Sequence, residues 1–264
     1  MSKFIRKNNF IMILVLIGVS SNICCAKDAR QIMVDSDERS KPHDQYTEYK
    51  IEIFDHDKVV SSRTLIKIDK KESGKNCTLL RFTDPISVKG VGALIENSED
   101  SESNIWAYTP ATKTLRRISS SQKQNWFMGT DFTYEDFEDY KLNAYLFEIV
   151  EKNEYQTDKP TIVIDALPNE INEVKASGYS KKRYVLDTES LYPVTIEFYD
   201  KNKQLTKKLV SENLKVTNGY TRPSQETMFN YTRNSKTVIT TMKSKINKGV
   251  SDIYFSPRYL KNED

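Results

Sequence analysis

From Tyr46 onward the chain alternates. Tyr49, Ile51 and Ile53 fall on one side of an extended segment and Glu48, Lys50 and Glu52 on the other, the period of a strand with one wet face. Ser61 to Asp69 interleaves Leu65, Ile66 and Ile68 with Arg63, Lys67 and Asp69, and Asp55-His56-Asp57-Lys58 supplies the turn between the two. Further strands are expected at Asn76 to Phe82, Gly90 to Glu96 and Asn104 to Tyr108. The last of these turns at Thr109-Pro110-Ala111-Thr112-Lys113 and returns as Thr114 to Ile118, a hairpin. The meander resumes near Ala144, and Glu173 to Asp187, Val194 to Asp200, Leu205 to Val216, Tyr220 to Asn230 and Thr237 to Ile246 read as strands. Asn218-Gly219 is the strongest hairpin signal, because its turn needs positive φ at both central residues. Asp200-Lys201-Asn202-Lys203 marks another turn.

Two stretches break the alternation. Asp28 to Val34 has helical spacing before the chain becomes polar up to Lys41, and Gln122 to Tyr140 reads as short helices or an ordered loop. About ten or eleven strands in one antiparallel meander must close or curl around something. The expected fold is therefore mainly β, a concave sheet whose few helical pieces act as a plug or lid over an apolar cavity.

Composition changes this picture at the amino terminus. Lys3, Arg6 and Lys7 precede the apolar run Phe10 to Val19, which as a helix spans roughly 15 Å, about half a bilayer core. Residues 1–26 are thus expected to be a secretory signal cut after Ala26, with a lipid anchor on Cys24 or Cys25 as the alternative. Residues 27–264 are expected to form a single domain. The formal net charge of +3 resides in those three leader residues, so the remainder is balanced and nucleic acid is not an expected partner. Cys77 is the one thiol beyond the leader, so packing and not disulfides must hold the fold.

Candidate chemistry is sparse. Two histidines, His43 and His56, stand in no catalytic or metal-binding motif, and no nucleophile elbow, phosphate loop, zinc signature or dinucleotide fingerprint occurs. No enzymatic activity, cofactor or metal is expected. Asp131, Glu135, Asp136, Glu138 and Asp139 form an acidic cluster, expected to be a solvated loop or helix start; an acid/base pair or a calcium site are the alternatives. Arg116-Arg117 and Lys181-Lys182-Arg183 are expected on solvated strand faces. Trp106 and Tyr108 share one strand face and Trp126-Phe127-Met128 follows, residues that are core in an empty cavity and binding surface in a filled one.

Several linked motifs occur in order. Arg81-Phe82-Thr83-Asp84-Pro85 with Lys89-Gly90, Trp106-Ala107-Tyr108-Thr109-Pro110, Leu115-Arg116-Arg117-Ile118 and Phe127-Met128-Gly129-Thr130-Asp131-Phe132-Thr133-Tyr134-Glu135-Asp136-Phe137 resemble the outer-membrane lipoprotein-sorting family, similar in fold to the periplasmic carrier LolA. Ala29 to Met33, Tyr192-Pro193-Val194 with Glu197 to Asp200, and Asp252 to Leu260 extend the resemblance over nearly the whole chain. It departs at Lys89, where the family usually carries Arg, and at Tyr184-Val185-Leu186-Asp187, where a Trp before the Asp is common. The resemblance implies an incomplete barrel of about eleven strands, closed by helices over a hydrophobic cavity that shields acyl chains. Its expected partners are a lipid or lipoprotein cargo, an inner-membrane RND-type exporter and, transiently, a membrane; its compartment is the periplasm. On this reading Phe82, Trp106, Tyr108, Trp126, Phe127 and Met128 are the cavity candidates and Gly129 the hinge of a lid. A non-enzymatic envelope adaptor is the competing expectation.

Overall fold

The computed structural model describes residues 28–72, 75–98, 102–139, 141–151, 155 and 157–261. The expected leader, residues 1–26, lies outside the described residues. Six strands run as a meander: β1 (Asp44–Asp55), β2 (Lys58–Glu72), β3 (Lys75–Asp84), β4 (Gly92–Ser98), β5 (Asn104–Thr109) and β6 (Thr114–Ile118). Five more follow as β7 (Tyr145–Ile149), β8 (Thr161–Pro168), β9 (Tyr179–Asp187), β10 (Pro193–Asp200) and β11 (Leu205–Glu212). A ribbon of β12 (Lys215–Thr217) and β13 (Tyr220–Arg222) then leaves the sheet before β14 (Gln225–Asn230) and β15 (Ser235–Ile246) complete it. The sheet has thirteen strands in the order β6-β5-β4-β3-β2-β1-β15-β14-β11-β10-β9-β8-β7. β15 docks on β1 and joins the two meanders, while β6 and β7 remain as edges, so the barrel is open.

The count exceeds the expected eleven for local reasons. β8 carries buried residues on both faces, Val163 and Ile164 among them, so it lacks the alternation that marks a half-wet strand. Glu173, expected in a strand, lies in helix α2 (Ile171–Ala176), whose first amides from Asn172 and Glu173 donate to the Glu170 carboxylate. The long strands expected on either side of Asn218-Gly219 are each interrupted, because the ribbon departs at Glu212 and returns at Ser224, whose amide donates to the Glu212 carbonyl at 3.2 Å. Its turn has the expected geometry, with φ of 50° at Asn218 and 84° at Gly219.

Curvature follows from which side chains meet. Phe82 on β3 and Phe198 on β10 belong to one buried cluster although five strands separate them in the sheet, so the sheet bends until its two halves face each other. Helix α1 (Ala29–Ser40) runs past the expected Val34. Ala29, Ile32, Met33 and Ser36 make its buried stripe, packed on Ile164, Ala166, Tyr184 and Leu186 of the inner face. Residues 120–139 fill the other half of the concavity as a plug of 3₁₀ turns.

The outer face has its own cover. After β15 the chain returns across β2–β5 and ends in α3 (Pro257–Lys261), burying Leu260 against Ile68, Leu79, Leu94 and Tyr108. Gly92 permits this approach: a Cβ there would stand 2.3 Å from the Leu80 carbonyl and 3.3 Å from Leu260. Among the described residues no helix is long and apolar enough to cross a membrane.

Candidate ligand cavity

Between sheet, plug and α1 lie three chambers that share walls. The largest, about 420 Å³, reaches the ends of the strands beside the carboxy end of α1 and the β12–β13 ribbon. A second, about 230 Å³, lies deeper and is walled by Ile51, Leu65, Leu80, Phe127, Phe132 and Phe137. A third, about 80 Å³, extends under Tyr145, Phe147 and Phe198. Asp136, Glu138, Asp139 and Leu209 border all three. The largest is within the range of small-ligand pockets, about 300–1,000 Å³. The interior is apolar at its deep end and rich in ionisable and hydroxyl groups at its mouth.

The structure separates the sequence candidates. Phe127 is buried in the plug and walls the deep chamber, and Phe82 stacks behind it, 5.8 Å between ring centroids. Met128 packs half-buried on the same core. Trp126 is 39% exposed at the outer end of the plug, above Lys207 at 5.4 Å and Arg233 at 5.1 Å. Trp106 and Tyr108 lie on the opposite face of the sheet, packed under the carboxy-terminal segment with Leu260, while their neighbours Ile105 and Ala107 point inward. The inward register of β5 thus belongs to its small aliphatic residues.

Gly129 occupies a tight turn. φ is 50° at Met128 and 78° at Gly129, and the Thr130 amide donates to the Phe127 carbonyl at 3.0 Å. Both flanks are clamped: Arg63 donates to the Met128 carbonyl at 2.7 Å and Arg233 to the Thr130 carbonyl at 3.2 Å.

The acidic cluster is not the solvated loop expected from its composition. Asp131 is fully buried and accepts from Ser235 at 2.6 Å, Thr237 at 2.8 Å and Asn230 at 3.1 Å. Glu135 accepts from Ser177 at 2.6 Å and the Gly178 amide at 2.8 Å, with Lys182 at 3.4 Å. Asp136 accepts from the Tyr179 hydroxyl at 2.7 Å and pairs with the buried Lys207 ammonium. Glu138 and Glu173 share Lys123 and Lys141, with separations of 3.0–3.5 Å. The cluster is a set of pegs that fixes the plug into the concave face. Burial presses the Glu173 carboxyl up, but Lys123 and Lys141 outweigh it and hold the group down at about 2. Burial pulls the Lys207 ammonium down despite its Asp136 partner.

Lys182 also departs from the expected solvated face. Lys181 and Arg183 do lie outside, both bound to Asp165, at 3.0 Å and 2.6 Å, whereas Lys182 points inward beside Tyr145 and Tyr179. The period-two register from Tyr184 and Leu186 places it there. The same register places Lys207 inward next to Leu209.

Comparison with known proteins agrees with this architecture. Among curated proteins none matches the chain. A domain from Vibrio parahaemolyticus described as outer membrane lipoprotein-sorting superposes with a TM-score of 0.81 at 25% identity, over 89% of this chain and 98% of that one. A DUF1329 family protein from Desulfovibrio piger gives 0.81 at 24% identity, over 88% and 97%, and a LolA superfamily protein from Nitrosomonas europaea 0.69 at 19%, over 89% and 100%. A family model described as uncharacterized-protein-like matches residues 74–262, from β3 to the end of α3. With more than half its length under that model, the chain belongs to this family, and it has the LolA-like fold of outer-membrane lipoprotein-sorting proteins.

Proposed function

We propose that the protein is a non-enzymatic periplasmic carrier that shields a lipid, or the acyl chains of a lipoprotein, and moves it between the inner and outer membranes. The observation that carries this reading is the interior itself: joined chambers of about 420 and 230 Å³ between a curved sheet and a pegged plug, walled at depth by aliphatic and aromatic side chains. Each methylene buried there is worth about 0.8 kcal/mol, so about ten of them contribute about 8 kcal/mol to retention. An inner-membrane RND-type exporter is the donor that the family resemblance suggests, with transient membrane contact at each end of the cycle.

Native mass spectrometry of protein purified from its own host tests the reading. Co-purifying lipid or lipidated peptide is the expected result. An empty cavity together with a stable protein partner would favour the adaptor.

A further inference from the structure

The inward face changes character at one level across several strands. On β1 it runs Ile53, Ile51, Tyr49, Thr47, Gln45 toward the mouth. On β3 it runs Phe82, Leu80, Thr78, Asn76, and on β14 Met228 is followed by Glu226. The cavity therefore has a boundary, with hydrocarbon-like walls above and hydrogen-bonding walls below.

Glu226 stands on that boundary. Cross-strand it lies opposite Ile239, which lies opposite Ile51, so a carboxylate shares a row with two isoleucines. It borders both the mouth chamber and the deep chamber. Its hydrogen bond is from the Ser211 hydroxyl at 3.3 Å. The cations that face it are committed elsewhere: Lys67 to Asp69 at 3.1 Å, and Arg222 to the Gln45 side-chain oxygen and the Ser40 carbonyl, both at 2.8 Å. Burial pushes the Glu226 carboxyl up, the mark of a carboxylate short of compensating charge.

We propose that Glu226 is a specificity residue for the root of the acyl chain, accepting an amphiphile whose chain begins at a hydrogen-bond donor, an amide N–H or ammonium, and rejecting one whose chain begins at an anion. This rests on the carrier reading and adds to it the chemistry of the cargo next to the hydrocarbon. With the chain in the deep chamber, the first polar atoms of the cargo come level with Glu226. A donor there completes the coordination of the carboxylate; a fatty-acid carboxylate places like charges together in a poorly hydrated site.

The test is competition for the delipidated full-length protein between an N-palmitoylated peptide amide and palmitate, with equal chains and opposite root chemistry. Wild type is expected to prefer the amide at least about tenfold, the scale of one charged hydrogen bond. Glu226→Gln is expected to lose most of that preference by gaining palmitate, and Ser211→Ala, which keeps the charge, to retain it. Equal retention of both amphiphiles by wild type overturns the assignment of Glu226 and leaves the carrier standing. Retention of neither overturns the carrier reading and this inference with it. Circular dichroism on each variant separates loss of selectivity from loss of fold.

Discussion

The ring of Phe127 lies on the ring of Phe82, with centroids 5.8 Å and planes 18° apart, and this stack joins the plug to the floor of the sheet. The Arg63 guanidinium stands over the Phe82 ring at 5.4 Å and donates to the Met128 carbonyl, so sheet, ring and plug turn are fastened at one point. Phe127→Ala is expected to cost about 3–5 kcal/mol and to enlarge the deep chamber. Urea unfolding measures the first, and binding of a longer-chain amphiphile the second.

Lys207 and Asp136 form a buried pair, each side chain 2% exposed. Removing one partner strands the other in a site that cannot hydrate it, so Lys207→Met alone is expected to cost about 3–5 kcal/mol. Combining it with Asp136→Leu should recover much of that loss. A double-mutant cycle from chemical denaturation checks the coupling, and additive losses would refute it.

Glu173 gives the stability an acid limb. Its carboxyl is held at about 2 in the folded chain against an ordinary 4.5, so the native state resists protonation. The resulting stability is complete above pH 4.5 and drains away as pH falls from there toward 2. Unfolding free energy followed through this window should fall less steeply for Glu173→Gln than for wild type.

Glu226 has the opposite sign. Its raised carboxyl pKa means that the native state loses stability as pH climbs from 4.5 through the folded value. Glu226→Gln should therefore melt higher than wild type at neutral pH when no cargo is bound, as read by scanning calorimetry.

Gly129 and Trp126 separate turn from cavity. Gly129→Ala meets no neighbouring atom but forces φ near 78° on a Cβ-bearing residue, a strain of about 1–2 kcal/mol. Trp126→Ala removes the ring above Lys207 and Arg233 and should cost about 1 kcal/mol with cargo retention intact, since Trp126 walls none of the three chambers. Loss of retention on Trp126→Ala, detected by lipid extraction, would place the plug tip in the cargo path.

Much of the sheet is legible in the chain because period-two alternation is a local signal. Tyr49, Ile51 and Ile53 disclose their face, and Asn218-Gly219 its turn, without knowledge of any partner strand. β8 is not legible in this way, since both its faces are covered. The acidic cluster misleads for a related reason: five carboxylates within nine residues look solvated until lysines that receive them, Lys182 and Lys207, are brought from distant strands.

By itself, the amino-acid sequence determines that most of this chain is extended, antiparallel and one-sidedly apolar, because neighbouring residues on a strand must point to opposite faces. It also determines the motif order that carries the family resemblance. Tertiary structure alone decides which apolar face lines the cavity and which is roofed by α3, as Trp106 and Ile105 illustrate one residue apart. It alone turns a run of acids into the pegs of a plug and sets Glu226 in one row with Ile239 and Ile51. The reason is physical: a charge or an aromatic ring acquires its role from what curvature brings opposite it, and curvature belongs to the whole sheet and not to any one strand.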